Sequence, residues 1–307
     1  MTEPTLTKEG QEVLDEIVNT RPPIVRESRK QKYLRMLSFL MNEQDLKQAD
    51  RGLVIEAITM VESKALDPIF LRWEDPAKFK RLLVDPRTDV EACYALPVEV
   101  KRWDCPPVPA GKRPEEMKVL AFCASPRKGG NTEVLIDEAI RGVQDAGAKV
   151  EKFALQKMKI GYCIQCTQCN LPGFEGFCPQ KDDLSDIYPK IVDSDAIIIG
   201  FPIYTARECA QLATFMDRWR CVGKVEPSRR AMVIGTWGYP AIDTYDHMIE
   251  RLISILHLHG FETVEALSAC GFSGKLGGFD ENRKAMVLRF PKELEKAYQA
   301  GKSLVTG

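Results

Sequence analysis

The chain of 307 residues is short of several things, and each absence removes a class of function. It contains no run of about 18 apolar residues, the length needed to cross a bilayer as a helix, so a membrane role is not expected. The opening MTEPTLTKEGQEV is acidic and polar rather than charged and then apolar, so a cytoplasmic location is expected. An excess of one charge is also missing: 43 Lys plus Arg stand against 44 Asp plus Glu, which disfavours nucleic acid and acidic membrane surfaces as partners. Histidine is scarce, at 3 residues, and no Ser/His/Asp or paired-carboxylate arrangement suggests hydrolytic chemistry. The loop straight after the first strong strand signal contains neither G-x-G-x-x-G nor the Gly-Lys-Ser/Thr of a nucleotide P-loop.

What remains is a chain long enough for two domains, with 44% hydrophobic residues to build their cores. From Thr7 to Ser63 the apolar residues recur at helical spacing, as in Val13, Leu14 and Ile17, then Leu34, Leu37, Leu40 and Met41, then Val54, Ile55, Ala57 and Ile58. This pattern predicts a small, mainly helical domain over residues 1–65, its apolar stripes serving as core. Between 66 and 116 the periodicity dissolves into Asp-Pro breaks and then CPPVPAGKRPEE, which suits an extended linker or an arm docked on the following domain.

From 117 to 307 the order is strand, loop, helix, repeated, the signature of an α/β, doubly wound parallel sheet. Strands are expected at 118–123, 149–155, 196–200, 231–236 and 262–268, with helices at 132–146, 184–193, 209–219, 244–259 and 282–300. The third strand, Ala-Ile-Ile-Ile-Gly, is apolar throughout and so should be fully buried.

After the first strand comes Ser125-Pro126-Arg127-Lys128-Gly129-Gly130-Asn131-Thr132, leading into a helix. A helix N-terminus presents unpaired N–H groups and a partial positive charge, so hydroxyl, amide and basic side chains there suit a phosphate. The glycines allow the backbone to curl around the anion. In an open parallel sheet, ligands lie beyond the carboxyl ends of the strands, where this loop is placed. A plain turn capped by Asn131 or Thr132 is the alternative.

Four of the ten cysteines cluster as C-x2-C-x2-C-x8-C, at Cys163, Cys166, Cys169 and Cys178, in an insert spanning 161–180. Thiolates three residues apart can converge, and a fourth reached through the excursion containing Pro172, Gly173 and Gly176 would complete a [4Fe-4S] cube. The residues leave two other readings: a zinc site, which usually pairs two C-x2-C knuckles across a longer gap, and thiols that bind nothing. Cys123 and Cys270 suit strand packing, and Cys93, Cys105, Cys209 and Cys221 are scattered without a role. His257 and His259 are too close for a helical metal pair.

Three stretches carry a resemblance: SPRKGGNTE at 125–133, GFPIYTARECAQLATFMDRW at 200–219, and the cysteine run between them. On these the sequence resembles the flavodoxin-like NADPH-dependent FMN reductases and, within them, the iron–sulfur flavoproteins. The resemblance covers residues 117–307 and leaves 1–116 without a counterpart. It implies a flavodoxin-like five-stranded domain in which Ser125, Arg127, Asn131 and Thr132, with Lys128 in the same loop, hold the phosphate of FMN. Pro202, Ile203, Tyr204, Thr205 and Ala206 would border the isoalloxazine ring, and Thr236, Trp237, Gly238 and Tyr239 would form a third loop. The four clustered cysteines would hold a [4Fe-4S] cluster, the flavin nearest to it belonging to the partner subunit of a homodimer or homotetramer.

The activity expected is electron transfer between a one-electron cluster and a flavin that carries one or two electrons. NAD(P)H or a ferredoxin-type protein is the expected donor, and a redox partner protein or small molecule the acceptor. One alternative is a cluster-free NAD(P)H-dependent FMN or quinone reductase. Another is an electron-delivery subunit that docks through its helical domain, since Leu14–Val61 is similar to the small helical domain of a light-independent protochlorophyllide reductase subunit.

Overall fold

A computed structural model describes residues 4–62, 73, 76–77, 98–105, 110–173, 177–222, 225–238, 242–272, 278–280 and 282–307. Gly176, Tyr239, Cys93 and most of the expected linker therefore lie outside the described residues. The chain divides into two compact units, residues 1–80 and 81–307.

In the first unit, α1 (Lys8–Thr20), α2 (Pro23–Glu43) and α3 (Arg51–Val61) follow the three apolar stripes. Their starts are set locally. The Thr7 hydroxyl accepts from Gly10 N at 3.1 Å, Pro23 opens α2, and the Asp50 carboxylate accepts from Leu53 N at 2.9 Å. Leu14, Ile17, Leu37, Val54, Ala57 and Ile58 are fully buried between them. Glu62 ends this core, accepting from the Tyr33 hydroxyl at 2.7 Å and pairing with Arg29 at 3.0 Å.

In the second unit β1 (Glu99–Arg102), β2 (Lys118–Cys123), β3 (Lys149–Ala154), β4 (Ala196–Tyr204), β5 (Arg207–Glu208), β6 (Val225–Thr236) and β7 (His259–Cys270) form one sheet. Its order is β1-β7-β6-β4-β2-β3, with β5 folded back on β4. The pairs β3-β2, β2-β4, β4-β6 and β6-β7 are parallel, which makes the five expected strands the body of the sheet. Residues 99–102, read from the sequence as linker or arm, are a strand antiparallel to β7.

Helices α4 (Asn131–Asp145) and α8 (Pro291–Thr306) cover one face, sharing a core with Val119, Ala121, Cys123, Ile198 and Ile234. The alternate strand residues point the other way, where α5 (Tyr188–Asp193), α6 (Ala210–Asp217) and α7 (Asp246–Leu258) follow the same crossover pattern. Phe122 meets Phe215 of α6 there, with ring centroids 4.8 Å apart. The α4–α8 contact is close because it is made over glycine: a Cβ on Gly142 would lie 2.1 Å from the Tyr298 carbonyl oxygen, and one on Gly301 2.0 Å from that of Ala139.

Two helices differ from expectation. The one expected over 184–193 forms only from Tyr188, with Pro189 in its first turn, although Leu184 and Ile187 are buried as an apolar stripe would require. The last begins at Pro291 rather than at 282, because the Asp280 carboxylate accepts from Asn282 N at 2.9 Å and Lys284 N at 2.8 Å. That pair of bonds makes a turn, and a short 3-10 segment, Met286–Arg289, precedes the proline.

Candidate functional site

A cavity of about 220 Å³ opens at the carboxyl ends of β2, β4, β6 and β7. Ser125, Arg127, Asn131, Thr132, Pro202, Ile203, Tyr204, Thr236, Trp237 and Gly238, all candidates from the sequence, line it. Gly130, Phe272 and Phe279 join them. Lys128, Thr205 and Ala206 do not line it. Phe272 follows β7 as Trp237 follows β6, so the strand-end rule applied to the fifth strand would have found it.

The floor is the start of α4. Gly130 is its N-cap residue with extended backbone (φ −79°, ψ 171°), and no side chain caps the helix. The first N–H groups of α4 have no carbonyl four residues back to bond, and the residues at this helix start, Gly130, Asn131 and Thr132, line the cavity. Ser125 is 3% exposed, and its hydroxyl accepts from Arg127 N at 3.2 Å, which bends the loop. Gly129 has φ +65°, a left-handed conformation that favours glycine, and donates to the Glu133 carboxylate at 2.6 Å. Burial works to raise the Glu133 carboxyl, but the Gly129 N–H and Lys152, 2.9 Å away, together hold it below its usual range.

Two other contacts lock the loops to one another. Thr132 Oγ1 and Thr236 Oγ1 lie 2.6 Å apart and buried, joining the first loop to the third. Asn131 donates from Nδ2 to the Gly278 carbonyl at 2.8 Å and accepts at Oδ1 from Val287 N at 2.8 Å. Its amide thus clamps the segment after β7 onto the cavity, with capacity left for one further bond at each end. A Cβ on Gly278 would lie 2.8 Å from that Nδ2, so the clamp also needs the glycine.

Aromatic side chains make the walls. Trp237 is 3% exposed and meets Tyr245 edge-on at 5.3 Å, while Tyr204 is 36% exposed at the rim. Burial raises the Tyr204 phenol, and the Arg127 charge pulls against that rise, so both sit in one electrostatic environment. Thr205 (φ 50°) and Ala206 (φ 57°) are the two central residues of the β4–β5 hairpin, whose last pair is Tyr204 with Arg207. Both are left-handed, a costly state for a β-branched threonine, and the turn directs them away from the cavity. Behind it the Cys209 thiol donates to the Ala124 carbonyl at 3.3 Å, tying the start of α6 to the first loop.

The cysteine insert is built differently. Its neck is zipped: Asp183 N donates to the Lys159 carbonyl at 3.3 Å, Gly161 N to Asp182 Oδ2 at 3.0 Å, and Gln180 Nε2 to the Tyr162 carbonyl at 3.3 Å. Arg218, its side chain fully buried, closes the neck from below by donating to the Gly161 carbonyl and to Asp182, each at 2.6 Å. Beyond the neck Cys166 is exposed, Cys163, Cys169 and Cys178 are half-buried, and Tyr162, Ile164, Leu171 and Phe177 are exposed. Gln165 (φ 52°) and Thr167 (φ 60°) are left-handed between successive cysteines, a backbone form that turns N–H groups toward an anion. Among the described residues, however, no three Cys, His, Asp or Glu side chains converge to hold a metal ion. The thiols as placed therefore do not make a finished metal site.

Residues 117–270 match the family model of NADPH-dependent FMN reductases. An iron–sulfur flavoprotein of Archaeoglobus fulgidus is 36% identical over 102 residues, 33% of this chain and 45% of that protein. The chain thus spans less than half the length of this relative. An iron–sulfur flavoprotein of Methanocaldococcus jannaschii is 35% identical over 168 residues, 52% of this chain and 80% of that protein. A further one from Archaeoglobus fulgidus is 30% identical over 199 residues, 58% of this chain and 97% of its own length. A match over half the chain, in the part that builds the sheet and the cavity, shows that this protein belongs to the NADPH-dependent FMN reductase family.

Proposed function

We propose that the cavity binds FMN and that the chain is a flavin-dependent oxidoreductase. One observation carries the reading: an uncapped helix N-terminus opens into an aromatic-walled cavity at four strand ends. The donor set fits the group. The α4 N–H groups, Ser125, Arg127 and Thr132 suit a phosphate, while Trp237, Tyr204 and Phe272 suit a flat ring. FMN, when bound, supplies hydride and single-electron chemistry. The chain's own residues position it: Arg127 and the helix end hold the anion, Trp237 and Phe272 exclude water from one side, and Asn131 keeps the post-β7 segment closed. NAD(P)H is the proposed reductant, a small molecule or a redox protein the acceptor, and a cytoplasmic homodimer or homotetramer the form. Absorbance of the purified protein tests the cofactor: a flavin spectrum that survives desalting is expected, and a colourless protein that stays so after FMN addition contradicts it.

A second reading adds an iron–sulfur cluster on Cys163, Cys166, Cys169 and Cys178. It is supported by the spacing, by the left-handed residues between the thiols and by the names of the relatives. Because the thiols do not converge as placed, no electron step is derived through them. Iron and sulfide analysis of protein prepared without oxygen tests it: near four irons per chain is expected, and less than about one would remove the cluster.

A further inference from the structure

The strand β1 precedes residue 117, where the family match begins, yet it pairs with β7, the strand that leads to Phe272 in the cavity lining. Its alternation divides the work. Val98 and Val100 enter the core shared with α4 and α8, and the outward-facing backbone of Val100 is satisfied by α8: its N–H donates to Glu293 at 2.7 Å and its carbonyl accepts from Lys296 at 2.6 Å. The free edge of the sheet is thereby closed without help from Lys101 or Trp103.

Those two residues face the other way. Lys101 pairs with Asp246, the first residue of α7, at 2.6 Å, and its Nζ lies 4.8 Å from the Trp103 ring centroid. Trp103 Nε1 donates to Ser268 Oγ at 2.9 Å, and that hydroxyl donates to the same Asp246 at 3.4 Å. Next to Asp246 is Tyr245, 8% exposed and packed edge-on against Trp237, the cavity wall. Trp237 N in turn donates to the Ala269 carbonyl at 3.0 Å, one residue past Ser268. A continuous path of ion pair, hydrogen bond and ring contact thus runs from β1 to the wall, with the Asp246 carboxylate as its hub.

We propose that Lys101 and Trp103 are positioning residues for the flavin ring, fixing Asp246 and through Tyr245 the place of Trp237. The inference rests on the reading that the cavity binds FMN. It assigns to the segment before the family domain a function in the site rather than in edge protection alone.

The test uses the full chain stripped of flavin and titrated with FMN, following the fluorescence of the bound flavin, which a neighbouring indole quenches. Lys101→Met is expected to weaken FMN binding about five- to tenfold and to leave the bound flavin brighter, a loss in proportion to one partly buried ion pair. Lys101→Arg restores both, and Trp103→Phe, which removes the N–H donor and leaves a smaller ring beside Lys101, shifts both the same way by less. Glu293→Ala loosens the outer edge of β1 without touching Asp246 and should leave the brightness unchanged. The inference is overturned if Lys101→Met binds FMN with unaltered affinity and brightness, or if Glu293→Ala reproduces its effect. Failure of the unmodified protein to bind FMN overturns instead the reading underneath, and the inference falls with it.

Discussion

The cavity at the strand ends and the cysteine insert are both made of loops, but they are held in different ways. Each loop of the cavity begins where a buried strand stops, and side chains cross-link the loops: Thr132 to Thr236, Asn131 to Gly278 and Val287, Cys209 to Ala124. The insert is secured at its neck by Asp182 and Arg218 and beyond it by the bond from Arg220 Nε to Asn170 Oδ1 at 3.4 Å, and among the described residues its thiols do not converge in threes. A site assembled from sheet geometry exists before its ligand arrives. One assembled from thiols on an excursion must wait for the ligand to gather them.

If that contrast is right, scaffold damage should reach the cavity first. Gly142→Ala forces a Cβ against the Tyr298 carbonyl and should cost about 3 kcal/mol in urea unfolding, with FMN binding lost at temperatures where the wild type keeps it. An unchanged unfolding curve would mean that α4 and α8 can separate without penalty. Arg127→Ala should weaken FMN by roughly 1.5–3 kcal/mol, the usual worth of a hydrogen bond to a charged group, while riboflavin, lacking the phosphate, binds as before. Equal losses for both ligands would place Arg127 on the ring rather than the anion.

The insert should answer more quietly. Cys166→Ser, at an exposed thiol, should alter the stability of metal-free protein by less than about 0.5 kcal/mol while lowering iron uptake on anaerobic reconstitution. A large fall in stability would show that the thiols are packed after all. The smallest effect concerns pH. Burial works to raise the Asp182 carboxyl, but Arg218 and the N–H groups of Gly161 and Leu184 hold it below the usual range. A carboxyl lower in the folded than in the unfolded chain stabilises above the unfolded value, about pH 4, and that contribution fades as pH falls through the folded one. Pepsin should accordingly cut within 161–182 faster as pH drops below about 4, with no matching rise within β4.

How much of this was legible in the sequence follows the same division. The five parallel strands could be read because each is a short apolar run between turn signals, and the first loop of the cavity because Gly129-Gly130 and Arg127 stand at a strand end. Residues 99–102 escaped because a four-residue edge strand, Glu-Val-Lys-Arg, has too little pattern to distinguish it from linker, and its partner lies 165 or more residues away. Phe279 escaped for a related reason: its place in the wall depends on Asn131 reaching across to Gly278, a long-range bond that no local period announces. Thr205 and Ala206 match the family stretch in sequence, yet a two-residue turn with both backbones left-handed carries them off the cavity.

Titration of the flavin-free protein with FMN and, separately, with riboflavin measures the central claim, since the two ligands share a ring and differ in the anion offered to the start of α4. Binding of FMN at least about a hundredfold tighter than riboflavin, a gap of roughly 3 kcal/mol, is predicted. Equal affinity for the two, or none for either, would contradict a site built on the Ser125–Thr132 loop.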